Sequence, residues 1–184
     1  MAIKLGMTSN IKKVASRHKR LALVPTAALT SALNKSGRQS GVAGSKAVRT
    51  VYNISAGRIK TARKDTRATF ARQRYMLYWS SYRVNVKQYS ASWNYSRGLA
   101  FKIKKGKRVV LPHAFIPKGN ARGLGGKGFR RKGSSRLPIA SVTGPSVSQL
   151  MKSKLATKAI NKKHAEVFPG LHEREMRRRV TMIK

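Results

Sequence analysis

Apolar residues at intervals of three and four positions mark the N-terminal third of the chain. The first of them are Ile11, Val14 and Leu21. Their spacing predicts a short helix, for which Ser9 or Asn10 is a suitable N-cap. Pro25 fits the first turn of a second helix, because the N–H group that proline lacks would have no helical partner there. Alanine-rich small residues extend this second helix to about Asn53.

A third, strongly basic helix is predicted after the alanine-rich one. Ser55 is a suitable N-cap for it, and its cations continue to Arg67. Glycines at positions 37, 41 and 44 weaken the middle of the preceding helix, because glycine has a low helix propensity. We therefore expect a helical N-terminal region over 8–67.

The period of the apolar positions changes from about 3.6 to 2 in the middle of the chain. The residues that share a face are Tyr82, Val84 and Val86 in one segment and Leu99, Phe101 and Ile103 in another. Both segments predict β-strands. A hairpin turn at 105–107 leads into extended segments at 108–111 and 114–116, and extended structure resumes over 137–142.

Helical spacing returns near the C-terminus. Ser146 is a suitable N-cap for an amphipathic helix that runs to about Val167, and Pro169-Gly170 is expected to bend or break it before a final helix. Helices, then strands, then helices indicate an α+β fold with a central antiparallel β-meander. We expect a single domain over 1–184, with its β-sheet region at 75–143 and its C-terminal helices at 146–183.

The charge of the chain changes the picture more than its hydrophobicity. Its 184 residues include 42 Lys and Arg but only 4 Asp and Glu, a formal net charge of +38. The cations are spread evenly rather than gathered in a tail, which indicates a body that meets a polyanion or acidic neighbours on several faces. No segment reaches the roughly 20 apolar residues of a membrane span, so we expect cytoplasmic synthesis and no membrane partner.

The scarcity of acids also argues against catalysis. Asp65 is the only acid before Glu166, so acid–base chemistry by a carboxylate pair is excluded from the body of the chain. A Ser–His pair between residues 66 and 165 would lack an orienting carboxylate. We therefore expect no enzymatic activity and no small-molecule substrate.

Two further motifs indicate neither a cofactor nor a metal. The segment 123–128 satisfies the dinucleotide fingerprint G-x-G-x-x-G, but no acid follows at the distance that would hold a ribose. The potential metal ligands near the C-terminus are His164, Glu166, His172 and Glu173. Their spacing matches no ligand pattern, and the absence of cysteine removes thiolate sites and disulfides.

A segment rich in glycine and cations, at 117–136, is the best candidate for contact with a polyanion. It is predicted to be either a mobile loop or a wide, irregular hairpin. Its cations are Lys118, Arg122, Lys127, Arg130, Arg131, Lys132 and Arg136. A backbone rich in glycine lets cations follow a phosphate surface without reading sequence, whereas the alternative role is that of a connector.

Aromatic residues interleaved with cations form a second cluster between Tyr75 and Tyr95. Such rings can stack on unpaired bases. They can equally face a sheet core or a subunit interface, where tyrosine and tryptophan are enriched. The alternation over 82–86 favours the second interpretation.

Several of these segments, taken in order, resemble the minor tail protein Z family of lambda-like tailed bacteriophages. Besides the small-residue helix that precedes a basic helix, the similar segments are Met1-Ala2-Ile3-Lys4, Arg83-Val84-Asn85-Val86, Pro112-His113-Ala114-Phe115-Ile116, and Leu137-Pro138-Ile139 followed by Gly144-Pro145-Ser146. The aromatic cluster and the glycine-rich segment depart from the family pattern.

The resemblance implies a tail-completion or neck protein of the virion, assembled in the host cytoplasm and placed at the head–tail junction. It also implies a homo-hexameric ring, neighbouring neck and tail proteins as partners, and no catalytic residues. A ring of such cations around double-stranded DNA would bind it electrostatically, whatever its sequence. The alternative is a ribosomal or other RNA-binding structural protein, whose basic balance and Gly/Lys/Arg-rich loops are similar.

Overall fold

The computed structural model describes residues 11–94, 97–117, 126–135 and 137–182, and it confirms the α+β fold. Helices precede and follow a region of small antiparallel sheets. The helices are α1 (Ile11–Val51), α2 (Ala56–Ala62), α3 (Val147–Met151) and α4 (Lys154–Thr181). The strands are β1 (Arg63–Thr66), β2 (Met76–Trp79), β3 (Arg83–Asn85), β4 (Ser92–Asn94), β5 (Gly98–Phe101), β6 (Val109–Leu111), β7 (Ala114–Phe115), β8 (Phe129–Arg131), β9 (Ile139–Ser141) and β10 (Thr143–Ser146).

The prediction of a helix boundary at Pro25 is wrong, because α1 is continuous from Ile11 to Val51. A proline inside a helix removes one backbone hydrogen bond and costs about 3 kcal/mol. Val24, Ala27 and Ala28 beside it are buried. Burial of this face on both sides of the proline offsets the local cost and keeps the helix intact.

The predicted end of the basic helix at Arg67 is also wrong. Ser55 caps α2 as expected, with its hydroxyl accepting a hydrogen bond from the Arg58 N–H, but α2 stops at Ala62 and residues 63–66 form β1. In a strand, residues two apart share a face. This geometry lets the Arg63 guanidinium hold the Asp65 carboxylate through two hydrogen bonds, of 2.6 and 2.7 Å.

The C-terminal helices begin where expected but are divided differently. Ser146 caps α3 in a capping box with Gln149. The helix is then interrupted between Met151 and Lys154, a break that the spacing did not predict, and α4 continues through Pro169 instead of breaking there.

Stacked rings accompany the passage of α4 through Pro169. The ring centroids of His164 and Phe168 lie 5.2 Å apart, and those of Phe168 and His172 lie 5.9 Å apart. These contacts join residues four apart on one face of the helix, which stabilises its two adjoining turns.

The strands of the described residues form small antiparallel sheets rather than one continuous meander. Their orders are β1-β2, β10-β3, β4-β5-β6 and β7-β8-β9. The predicted turn at 105–107 joins β5 to β6, and Gly106 adopts a φ of +82° there. Tyr82 does not share the buried face of Val84 and Val86, because β3 begins only at Arg83, and Tyr82 is 85% exposed.

Two compact units divide the chain. The first comprises the described residues within 1–39, 66–76 and 163–184, and the second those within 40–65 and 77–162. In the first unit, small residues of α1 such as Ala28 and Ala32 are fully buried. Gly37 contacts the ring of Tyr75 so closely that a side chain at position 37 would collide with it.

The second unit has two apolar clusters. One is built from residues of α1, α2, α3 and the strands around Val84, and it includes Val48, Ile59, Tyr89 and Leu150. The other joins the β4-β5-β6 and β7-β8-β9 sheets through Val86, Leu99, Phe101 and Ala114. This second cluster supports the surface on which most of the candidate site lies.

Candidate nucleic-acid interface

The β7-β8-β9 sheet carries the described part of the glycine-rich basic segment. The segment connects two paired strands, because β7 and β8 pair antiparallel with Phe115 opposite Phe129, whereas its residues 118–125 lie outside the described residues. Strand β8 itself was not predicted. Phe129 is buried and its ring centroid lies 6.3 Å from that of Phe115, whereas Arg130 and Arg131 are exposed.

Four of the seven predicted contact residues lie on this surface. Lys127, Arg130, Arg131 and Lys132 are all exposed. Lys118, Arg122 and Arg136 lie outside the described residues. Because successive residues of a strand point to opposite faces, Arg130 and Arg131 present their guanidinium groups on both sides of β8.

The amide side chain of Asn85 fixes the start of β8. The Gly128 N–H donates to Asn85 Oδ1 at 2.8 Å, and Asn85 Nδ2 donates to the Gly128 carbonyl at 3.2 Å and to Ser141 Oγ at 3.0 Å. A side chain at Gly128 would approach Leu99 Cδ2 to 2.8 Å. The glycine is therefore required by close packing, and Asn85 orders the backbone that precedes the cations of β8.

Lys87 joins the same surface, although the sequence placed it only among the cations of the aromatic cluster and not in the glycine-rich segment. It lies in the 3₁₀ helix Val86–Gln88 and is exposed. Its Nζ lies 3.3 Å from where a Cβ of Gly126 would be. Lys87 thus adds a cation beside Gly126, where only the packing of the two segments brings it.

A cleft of about 620 Å³ opens beside β8. Its wall includes two aromatic rings, those of Trp93 and Phe115, and two guanidinium groups, those of Arg97 and Arg131. The Arg131 Cζ lies 5.9 Å from the centroid of the Phe115 ring, which is within the range of a cation–π contact. His113 completes the polar part of the lining.

The backbone at two positions shapes this cleft. Gly98 begins β5 with a φ of +84°, and it lies so close to the Leu111 carbonyl that a side chain would collide there. His113 occupies the turn between β6 and β7 with a φ of +59°, a left-handed conformation that costs energy for a residue with a side chain. These two positions bring Arg97 and His113 to the same wall.

The sequence identified Arg131 and, in the aromatic cluster and its interleaved cations, Trp93 and Arg97, but it did not identify His113 or Phe115 as lining residues. Arg97 lies in one segment, and His113 and Phe115 lie together in another. A Pro-His pair between two extended segments was a weak signal for the turn at His113, because histidine is one of the residues enriched in left-handed turns. Only strand pairing shows that these segments meet.

The aromatic cluster divides between core and surface. Tyr89 is buried, its hydroxyl donates to the Pro145 carbonyl at 2.7 Å, and burial raises its pKa to about 12. Tyr78 and Tyr82 are exposed, and Trp93 is half-buried. Tyr95 lies outside the described residues.

The electrostatic character of the surface is strongly positive. Wherever the structure describes the burial of Lys and Arg, the side chains are exposed or, at Arg58, Arg63, Lys163 and Arg179, half-buried. Each of the four acids forms an ion pair with a cation of the chain itself. The pairs are Asp65 with Arg63, Glu166 with Lys163, Glu173 with Arg177, and Glu175 with Lys35 and Arg178.

The part of the chain that the structure describes contains no group of three or more His, Asp or Glu residues placed to hold a metal ion. The same described residues contain no helix of the length and apolarity needed to cross a bilayer.

Comparison of the chain with protein-family models, curated proteins and solved structures gives no match.

Proposed function

We propose that this chain is a non-enzymatic structural protein of the neck or upper tail of a tailed bacteriophage, where it binds double-stranded DNA through contacts that do not depend on base sequence. The observation that carries the DNA-binding part is the imbalance of surface charge. The chain has 42 Lys and Arg, and its 4 acids are already paired with its own cations.

Duplex DNA is a natural partner for such a surface. It carries about one negative charge per 1.7 Å of helix axis, and cations that neutralise its phosphates release condensed counterions. No acid occurs in the sequence between Asp65 and Glu166, so the β-sheet region has no carboxylate of its own that could repel phosphate. Lys127, Arg130, Arg131 and Lys132 supply four exposed cations close together in the chain, distributed over the two sides of β8.

The place in the virion and the ring follow from the resemblance to the minor tail protein Z family. Six copies, each with a formal charge of +38, would repel one another unless DNA or acidic neighbours neutralised them. A ring around the DNA at the head–tail junction satisfies this requirement. Contacts with acidic surfaces of neighbouring neck and tail proteins would take up cations that do not face the DNA.

The DNA part is tested by measuring the affinity of the full chain for duplexes of unrelated sequence at several salt concentrations. If four phosphates are neutralised, affinity should fall roughly a hundred-fold between about 50 and 200 mM salt. Affinity should be the same for all duplexes. Binding that is insensitive to salt, or strong preference for one sequence, would overturn this part of the proposal.

A pair of triple variants locates the contact. K127Q/R130Q/K132Q should reduce the slope of log affinity against log salt by about 0.9 for each lost phosphate contact. K152Q/K154Q/K158Q is the matched control, because it removes the same charge from exposed positions in and just before α4. Equal losses in the two variants would show that the glycine-rich segment has no special role.

The location is tested separately, by fractionation of cells that produce the particles. The chain should sediment with virions, and cryo-microscopy of intact particles should show it as a ring between the portal and the tail tube. Sedimentation with ribosomes would instead support the alternative of an RNA-binding structural protein.

A further inference from the structure

We propose that the cleft beside β8 binds an unpaired nucleotide, with its rings against the base and its guanidinium groups on the phosphate. This inference rests on the proposed binding of nucleic acid and adds a second mode to it, in which a single strand is held at a defined place. The cleft is formed entirely by described residues of the second unit.

The chemistry of the wall is that of a nucleotide site. Trp93 and Phe115 contribute aromatic rings to the lining, with Arg131 lying over the Phe115 ring, and every base has a π face that can stack on aromatic rings regardless of its identity. Arg97 and Arg131 offer planar, permanently charged donors whose geometry matches phosphate oxygens. A volume of about 620 Å³ lies within the usual range for a small-ligand site.

The arrangement favours an unpaired base over a duplex. In a duplex the faces of the bases are covered by their neighbours, so side-chain rings have no face to stack on. The exposed cations of β8 can contact the backbone of a duplex, but the rings lie inside the cleft.

The backbone at His113 is a second, independent indication of function. Non-glycine residues in the left-handed region are uncommon and cluster at ligand sites, where the surrounding structure holds them. His113 lies in the turn that joins the two sheets and places an imidazole in the cleft wall. Its ring nitrogens can exchange hydrogen bonds with a base edge or a phosphate.

Tryptophan fluorescence tests the stacking directly. The chain has two tryptophans, so the W79F variant leaves Trp93 as the only one. The buried Trp79 Nε1 has no hydrogen-bond partner among the described residues, so phenylalanine removes no hydrogen bond there. In full-length W79F, a short oligothymidylate should quench Trp93, whereas an abasic oligonucleotide of equal length and a duplex should bind without comparable quenching.

A pair of double variants tests the phosphate contacts in the otherwise unchanged protein. R97Q/R131Q should weaken oligothymidylate binding about ten-fold more than duplex binding. A ten-fold difference is within the range of the free energy that base stacking and a hydrogen bond to a charged group contribute. K102Q/R108Q is the control, because its exposed residues line a different cleft, of about 440 Å³, and the loss of charge is equal. The control should lower both affinities alike.

The outcomes separate this inference from the proposed function. Equal quenching by the abasic strand, or equal losses in the two double variants, would overturn the nucleotide cleft even if duplex binding stayed intact. Stronger quenching by oligouridylate than by oligothymidylate would support the cleft with RNA as its source and would count against the proposed DNA role.

Discussion

Glu175 is the one acid of the chain that is buried, and replacing it should show how much a single ion-pair network stabilises the first unit. Its side chain is only 2% exposed. It accepts a hydrogen bond from Lys35 Nζ on α1 and another, of 3.1 Å, from Arg178 Nη2 on α4. Arg179 Nε lies 4.0 Å away. We expect E175Q to lower the free energy of unfolding.

The magnitude follows from the exposure of the partners. Removing one member of a fully buried ion pair costs about 3–5 kcal/mol, because the other charge remains without solvent or partner. Here the side chains of Lys35 and Arg178 are 45% and 55% exposed, so water can solvate both after the substitution. The expected loss is therefore about 1–3 kcal/mol, the contribution of one or two hydrogen bonds to a charged group.

E173Q is the matched control, since it makes the same chemical change two residues earlier on the same helix. The Glu173 side chain is 63% exposed and pairs with Arg177 on the surface, a contact that contributes about 0.3–0.5 kcal/mol. Both variants raise the net charge equally, so their difference isolates burial. Urea unfolding followed by circular dichroism measures it, and equal losses in the two variants would refute the reasoning.

The pH dependence gives a second measurement with a definite sign. The hydrogen bond from Lys35, aided by the positive charges around it, holds the pKa of Glu175 below its ordinary value of 4.5 against the opposing effect of burial. The carboxylate therefore contributes stability above pH 4.5, and this contribution is lost as the pH falls through the folded-state pKa. The stability difference between wild type and E175Q should shrink on acidification over that range.

Three further substitutions test the core of the second unit and the helices, each by urea or thermal unfolding. Y89F should lower the free energy of unfolding by about 1–3 kcal/mol, because the Pro145 carbonyl loses its buried donor. Burial raises the pKa of Tyr89 from 10.0 to about 12, so the wild type should lose stability as the pH rises through this range, and Y89F should not. G44A should destabilise by about 1–3 kcal/mol, since its Cβ would lie 2.6 Å from Ile160 Cγ1, and an unchanged midpoint would contradict that contact. G57A should instead stabilise the protein by about 0.5–1 kcal/mol, because position 57 of α2 is exposed and no atom lies within 4 Å of the new methyl group. A loss of stability in G57A would contradict this expectation.

The features predicted correctly are those that depend on contacts between residues close together in the sequence. Ser55 and Ser146 were identified as N-caps, and both structures form because a hydroxyl reaches a backbone N–H only three residues away. The glycine turn at 105–107 is equally local. Such contacts are encoded within a few positions, so a single segment is enough to predict them.

The predicted helix boundary at Pro25 and the predicted break at Pro169 were wrong, because both treated a local cost as decisive; a bend at Pro169 stays a prediction. Pro25 and Pro169 both lie inside helices, although each removes a helical hydrogen bond. Around Pro25 the burial of α1 offsets that cost, and around Pro169 the stacked rings of His164, Phe168 and His172 support the helix. These compensating contacts depend on packing or on which face a helix presents, neither of which a local rule includes.

By itself the sequence determined the α+β order of elements and the excess of cations, because period, composition and charge are properties of the chain. It also predicted correctly that the cations of the glycine-rich segment, where the structure describes them, are exposed. The cleft was decided only by tertiary structure. Trp93, Arg97, His113 and Arg131 belong to different segments, and antiparallel pairing and packing of two small sheets bring them to one wall. Long-range pairing of this kind leaves no local pattern in the sequence, since each residue is individually typical of an exposed strand or turn.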